Sequence, residues 1–580
     1  MEPTATNATT TAIIRDCIEE VLRCLDRDSR TKDSTAPTPA SIAVSDQARV
    51  IIDEEWRAID YIKARVEERQ KHIGRRRNNL APIHRLPNEI LGIIFKLVKR
   101  EASPVGFNDF LSVSHRWRII ALNTPSLWTN IHNLSGPLLD VFIARSKQHS
   151  LEVSYGRPED RSDSSALLEY LAHISPYVQG WRTCQLFGPL RARAEILSYL
   201  TTPAPTLETL SISLYKARGD GVDDAELDDD TGPFNPLFGG SAPRLRELAL
   251  DGAFVSLSSP IFSGLTKLEL GRISYSSADS NSPFLLLHAI ESCPLLEVLM
   301  LTDIYIASDP HLDPAPSSLE LPYLQIFRMS QAYSMQWLHY HILDCVVIPP
   351  SSSLELHVAN CARTGDMDVV SGPLPRFTRS YLGLQNISTV KHLTIWLTGD
   401  MTCRVEGYTS DTSKCSFLFY ICTGQLAFSH TLLTLHPAFP MPLESLALSA
   451  LSANIPSFEI DTTIFAGFLR HHPLIRKLKF EHFSTPAIQV LGVTPNQYLC
   501  PRLEELHVVN CPIGIRELID LVRPRVKAGV EEGASAERAT HLERLRIGEC
   551  PDASQLASLD VPKSLKVILE RKLFAARRWR

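Results

Sequence analysis

The 580-residue sequence predicts an α+β to α/β chain: N-terminal helices and a small helical unit, then an irregular solenoid with a curved parallel sheet. Three observations predict it. A phrase of the form L-x-x-L-x-L, introduced by a Pro- or Ser-containing turn, recurs along residues 133–570. Residues 46–79 carry apolar side chains at helical spacing. Between them, Leu86 to Ile131 packs aromatic and aliphatic anchors into one short helical stretch.

Residues 1–45 open with a possible helix, Thr11 to Arg27, carrying Ile14, Ile18, Val21, Leu22 and Leu25 on one face, and end in the Ser/Thr/Pro linker TKDSTAPTPAS. Residues 46–79 read as an amphipathic helix. Asp46 is its expected N-cap, Val50, Ile51, Ile59, Ile62, Val66 and Ile73 form its stripe, and Trp56 lies at the stripe's edge. The expected arrangement is a helix folded back onto the neighbouring domain. The alternative is a coiled-coil dimer, which the stripe supports over about three heptads. Arg75, Arg76 and Arg77 suit the negative end of the helix dipole better than a nuclear-localisation patch.

The segment 80–132 contains LPNEILGIIFKLVKR, a break, and FNDFLSVSHRWRIIALNTPSLWTNI. Pro87 suits the first turn of a helix, and Glu89 favours its positive end. Ile90, Leu91, Ile94, Phe95 and Val98 fall on one predicted apolar face. Lys96, Lys99 and Arg100 load the last turn with cations, and Ala102 to Gly106 ends the helix. Phe110, Val113 and Trp117 repeat the spacing, with Arg116 and Arg118 beside the Trp, and Leu127-Trp128 closes the unit. So few residues bury only part of their own apolar surface, so the unit needs a partner.

These landmarks, Leu-Pro-x-Glu-Ile-Leu, a Val ahead of a basic-Trp-Arg triplet, and a final Leu-Trp, resemble an F-box of the F-box-like type. The resemblance covers about 45 of the 580 residues. It implies docking onto a Skp-type adaptor and, through it, a cullin–RING ubiquitin ligase. Leu86, Pro87, Ile90, Ile94, Val113 and Trp117 match positions tied to adaptor binding or to the module's core, and Trp128 matches the closing Trp. The joint Arg100 to Asn108 departs from the family's Leu-Pro-x-Asp-Leu pattern, which leaves the second helix poorly placed.

The repeated phrase then begins at Pro205, Pro243, Ser263, Pro294, Pro442, Pro473, Pro501 and His541, more loosely at Pro322, and in part at Ser352 and Thr389. Weaker strands are expected at Leu151–Ser154 and Trp181–Phe187. A period of two sends both residues of L-x-L to one face of a strand. The Leu three residues earlier anchors the entry turn. A repeat cannot bury this face without neighbours, and each Leu fully buried contributes roughly 1.5–3 kcal/mol. Helical phrases, SPFLLLHAIESC, DTTIFAGFLRHH and IRELIDLVRPRV, separate some copies, which with right-handed crossovers gives the curved parallel solenoid.

This pattern resembles a leucine-rich repeat array. Extended to L-x-x-L-x-L-x-x-C/N, it fits Leu503, Leu506, Val508, Cys511 and again Leu542, Leu545, Ile547, Cys550, while Leu356, Val358, Cys361 fit a shortened copy. The resemblance implies that the last position points inward and bonds the turn backbone of the next coil. These cysteines are therefore expected to be structural, not ligands or nucleophiles. Copies start at irregular intervals, so the array is expected to be degenerate, with insertions. One is the acidic loop Gly219 to Pro236, another Thr398 to Pro440, rich in Tyr, Phe and Cys and read as a hairpin or a ligand-facing flap. The basic end 571–580 is expected to form a capping helix.

Composition sets outer bounds. A net charge of -6 gives no global case for nucleic acid. Twelve cysteines include no C-x-x-C pair, no apolar run is long enough for a membrane helix, and the start MEPTATNATT lacks a signal-peptide pattern. A cytoplasmic or nuclear location with reduced thiols follows as the expectation, and the sequons at Asn7, Asn133 and Asn386 carry little weight. The sequence holds no G-x-S-x-G, Walker A, G-x-G-x-x-G or H-E-x-x-H motif. His339, His341 and Cys345 lack a fourth metal partner and read as core, and His471-His472 suit a helix C-terminus. No cofactor, metal or catalytic residue is therefore expected. The expected function is a non-catalytic substrate-recognition adaptor of an SCF-type ligase, with the repeats binding a target protein. The alternative is a repeat scaffold whose helical unit only caps the solenoid, independent of any ligase.

Overall fold

The computed structural model describes residues 42–101, 111–134, 136–157, 164–216, 236–275, 283–306, 318–332, 336–359, 384–398, 402–410, 415–422, 427–438, 441–451, 460–494, 497–527, 541–551 and 559–570, with 15, 16, 19, 20 and 23. The acidic loop, Phe110, Cys361, the basic C-terminal end and most of the joint Arg100 to Asn108 lie outside the described residues. The chain divides into two compact units, Met1–Ile120 and Ala121–Arg580. The division falls inside the segment 80–132, so Trp128 belongs to the second unit.

The first unit is helical. Its long helix is Ile42–Leu80, which begins four residues before Asp46, so Asp46 is not its N-cap. The helix does not fold back as expected. Val50, Ile52, Trp56, Ile59, Ile62, Val66, Ile73 and Leu80 are all exposed. Among the described residues, a short 3-10 turn, Pro82–Arg85, and the helices Asn88–Glu101 and His115–Leu122 follow it.

The second unit is mixed α/β, built on a 17-stranded, mostly parallel sheet. In chain order the strands are β1 Asn130–His132, β2 Leu151–Tyr155, β3 Trp181–Pro189, β4 Thr209–Tyr215, β5 Glu247–Asp251, β6 Lys267–Tyr275, β7 Val298–Ile306, β8 Leu319–Glu320, β9 Ile326–Ala332, β10 Val346–Val347, β11 Ser353–Ala359, β12 His392–Thr398, β13 Thr402–Tyr408, β14 Cys415–Cys422, β15 Ser445–Leu451, β16 Lys477–Glu481, β17 Glu505–Val509, β18 Arg544–Gly548 and β19 Lys566–Glu570. β8 and β10 form a separate two-residue parallel pair. β1 through β7 are neighbours in chain order, all parallel, and continue through β9 to β11. Beyond β11 the order reverses: β14, then antiparallel β13, then β12. β12 pairs with β15 in parallel, and β16 to β19 resume chain order.

Every copy of the repeated phrase, full, loose or partial, falls on a strand. The register explains why. Ile212, Leu250, Leu270, Leu301, Met329 and Leu356 are successive partners across β4 to β11, and all are buried. The column crosses the reversal without a shift through Phe419, Val405 and Ile395, then runs on through Leu448, Phe480, Val508 and Ile547. A second column passes through Gly407, where a Cβ would lie 2.2 Å from the Phe417 ring, so the missing side chain makes room for that aromatic. The helices Pro283–Glu291, Thr462–His471 and Ile515–Lys527 bury apolar residues in the same core as the Leu columns. Asp461 caps the second of these by accepting hydrogen bonds from Thr463 N and Ile464 N.

Six strands share one backbone conformation just past their column residue, beyond the strand end in four of them and inside β6 and β7 at Arg272 and Asp303. Gly252, Arg272, Asp303, His482, Asn510 and Glu549 each sit two residues past a column residue and have positive φ, between 48° and 71°. Gly252 N donates to Gly271 O, and Asn510 N to Gly548 O, so the left-handed exit hands one backbone donor to the following strand. Gly156, at the exit of β2, has φ 75°, and a Cβ there would lie 2.7 Å from Phe187 O. Gly156→Ala is expected to destabilise this unit by about 2 kcal/mol, read as a lowered urea midpoint with an unchanged slope.

Candidate functional site

In the first unit, Arg116 draws the predicted landmarks together. Its guanidinium donates to His84 O, to Leu86 O at 2.7 Å and to Asn88 Oδ1 at 2.9 Å, fixing the extended turn that leads into the helix Asn88–Glu101. Leu91 N closes that helix's first turn on Pro87 O. Ser114 breaks the run expected from Val113 to Trp117: its Oγ accepts from Trp117 N, so the helix starts afresh at His115. Trp117 packs on Phe95 at 4.9 Å between ring centroids.

The apolar face expected on Asn88–Glu101 is split. Leu91 and Phe95 are buried. Ile90 is 42% exposed and Val98 45%, with Ile93 and Leu97 also exposed and Ile94 half-buried. Residues three and four apart share one side of a helix, so these five side chains form a continuous apolar stripe open to solvent. Pro87 and Val113 are exposed as well, while Leu86 and Trp117 are half-buried. Trp128, in the second unit, is buried: its indole donates to Ala121 O at 2.8 Å, its ring meets Phe142 edge-on at 4.9 Å, and the Arg145 guanidinium lies 5.1 Å over it.

In the second unit, the residues between the column positions face the other side of the sheet and are half-exposed. The reversal concentrates aromatic and charged groups there. Arg328 pairs with Glu355 at 2.6 Å, His357 Nε2 meets Glu355 Oε1 at 2.7 Å, and the His357 and Tyr420 rings lie 4.4 Å apart. Arg404 sits 5.3 Å over Tyr420 and pairs with Glu406, which also accepts from Tyr408 Oη at 2.9 Å. Burial pushes the Glu355 carboxyl up, but hydrogen bonds from His357 and Arg328 outweigh it and hold it below the usual range. Burial and the Glu406 carboxylate push the Tyr408 phenol above its ordinary range.

The predicted repeat-core residues Leu503, Leu506, Val508, Cys511, Leu542, Leu545, Ile547 and Cys550 are all buried. The sulfur contacts correct one expectation. They run back to the strand just left and the one before it, not on to the next coil. Cys511 Sγ donates to Val509 O at 3.2 Å, and Cys550 Sγ lies 3.6 Å from Gly548 O and 3.8 Å from Val508 O. The chain turns at left-handed Asn510 and Glu549 just before each cysteine, which leaves the thiol over that strand end. Burial pushes the Cys511 thiol up to about 12 and raises Cys550. Iodoacetamide at neutral pH is therefore expected to alkylate Cys511 in the folded chain roughly a thousandfold more slowly than an exposed thiol, and at the ordinary rate once urea unfolds it; peptide mass spectrometry reads both.

Other candidates resolve as packing. His341 meets Phe284 edge-on at 5.8 Å, buried His472 meets Met441 O at 3.3 Å, and Asn386 is buried and donates to Ser416 O. Among the described residues, no group of three or more His, Cys, Asp or Glu could hold a metal ion, and no helix is long and apolar enough to cross a membrane. Compared with known proteins, the chain matches no family model, and no curated protein matches it in sequence.

Proposed function

We propose that this chain is a non-catalytic recognition subunit of a cullin–RING ubiquitin ligase. Its F-box-like helices would dock a Skp-type adaptor, and its second unit, read as a degenerate leucine-rich repeat solenoid, would hold a target protein. The observation that carries the reading is the open stripe Ile90, Ile93, Ile94, Leu97 and Val98, beside a Leu86-Pro87 turn that Arg116 holds in place. Four exposed apolar side chains and a half-buried fifth along one helix in so small a unit suit a partner's apolar groove. The uncovered strand face, with Tyr420, His357 and Arg404 at its reversal, has the aromatic and Arg content of protein-binding surfaces. In this role the chain makes and breaks no bond. Holding target and ligase together raises the effective concentration of the acceptor lysine.

A second reading draws on Trp128 and β1, which pack and pair within the sheet unit. In it, this stretch caps the first edge of a scaffold that works without a ligase. Affinity purification of the intact chain distinguishes the two. The first predicts stoichiometric recovery of a Skp-type adaptor and a cullin; a purified chain that forms no complex with an equimolar Skp-type adaptor in gel filtration rejects it.

A further inference from the structure

The long helix Ile42–Leu80 leaves an apolar stripe uncovered. Ile52, Ile59, Val66, Ile73 and Leu80 recur every seven residues, with Trp56 and Ile62 alongside, and every one is exposed. A seven-residue recurrence keeps a stripe facing one partner helix over its whole length. The charges around it are divided along the axis. Residues 42–60 hold five carboxylates (Asp46, Asp53, Glu54, Glu55, Asp60) against two arginines. Residues 61–80 hold seven cations (Lys63, Arg65, Arg69, Lys71, Arg75, Arg76, Arg77) against two glutamates.

We infer that this helix pairs antiparallel with the same helix of a second copy of the chain. Antiparallel pairing centred on Val66 sets Ile59 opposite Ile73 of the second copy and Ile52 opposite its Leu80. It also lays each acidic half along the other copy's basic half, with Glu67 facing Arg65. Parallel pairing in register would instead align Arg75, Arg76 and Arg77 with themselves, and like charges side by side oppose association. Charge thus selects both the occupant and its direction, while the seven-residue stripe supplies the contact. The inference does not depend on the ligase reading, since it uses none of residues 82–120.

Sedimentation equilibrium of the full chain at low salt is expected to give a dimer, weakened as salt rises. Ile59→Asp with Val66→Asp should give monomer; both side chains are exposed, so a circular dichroism spectrum keeping its sheet and helix signal shows that the variant is folded. Asp53→Lys, Glu54→Lys, Glu55→Lys should also give monomer, and adding Arg75→Glu, Arg76→Glu, Arg77→Glu to it should restore the dimer. A monomeric wild-type chain overturns the inference. So does a dimer that survives Ile59→Asp with Val66→Asp, which would place the contact elsewhere, or one indifferent to the charge swap, which would make the pairing parallel.

Discussion

Pro87→Ala combined with Ile90→Asp is expected to lose Skp-type adaptor binding by a few hundredfold while the second unit stays folded. Ile90 lies at the start of the open stripe, and its exposure means the folded chain already leaves much of this side chain in water. Aspartate therefore costs the isolated chain little. In a complex the same position would bury a carboxylate without a partner and forgo the burial of an isoleucine, together about 3–4 kcal/mol, which is on the order of several hundredfold in Kd. Pro87→Ala loosens the entry turn whose Leu86 and Asn88 Arg116 grips. Titration calorimetry against a purified Skp-type adaptor reads the loss, and the urea midpoint of the chain reads the fold. Unchanged affinity would sink the docking surface. Leu91→Asp separates the two faces of this helix: Leu91 is fully buried, so that change should unfold the unit instead.

In the second unit, the largest effect on stability is expected at Arg525. This side chain, 3% exposed in the helix Ile515–Lys527, donates to Leu491 O at 2.7 Å, Leu499 O at 2.8 Å and Cys500 O at 3.3 Å, with its guanidinium 5.0 Å over Tyr498. Burial pulls its pKa below the ordinary arginine value. Arg525→Met leaves three carbonyls without that donor, at about 1–3 kcal/mol each. Removing a desolvated cation returns part of this, so a net loss of about 3 kcal/mol is expected. Arg525→Lys should not rescue it, because an ammonium is a point donor and cannot span three carbonyls as the planar fork does. A drop in the urea midpoint, with faster hydrogen exchange at Leu503 and Leu506, would establish the effect; a midpoint shared by Met and Lys variants with the wild type would refute it.

Most of the sheet was legible because burial imposes a period. Wherever Leu-x-Leu follows a turn, the strand is where the phrase is. β1 and β19 escaped because edge strands carry weaker patterns: β1 is three residues long, and Leu569 in β19 is exposed. β13 and β14 lie in the stretch left open as a hairpin or flap. Their reversal cannot be read from local residues, since Val405 and Phe419 alternate as any strand would, and only the pairing reveals the direction. The stripe on Asn88–Glu101 was legible as an apolar helix but not as an exposed one. Helical spacing places Ile90, Leu91, Ile94 and Phe95 on one side without saying which are covered, and the covering side chain, Trp117, comes from a helix more than twenty residues away. Arg116 was legible as the basic member of the basic-Trp-Arg triplet but its role was not, because its acceptors are the backbone oxygens of His84 and Leu86 and the side chain of Asn88.

The reversed trio β14, β13, β12 also bears on how the sheet comes into being. A uniform array zips up one neighbour at a time. Here the first zipper runs from β1 and halts at β11, since its next partner, β14, is synthesised only after β12 and β13. The second, from β15 to β19, can close by itself, but it joins the first only through β12, which must skip past its own successors to reach β15. The sheet thus consists of two runs wound in chain order, β1 to β11 and β15 to β19, joined by one splice through β14, β13 and β12. In dilute denaturant, amide hydrogen exchange is expected to rise along β12 to β14 before it rises in either run.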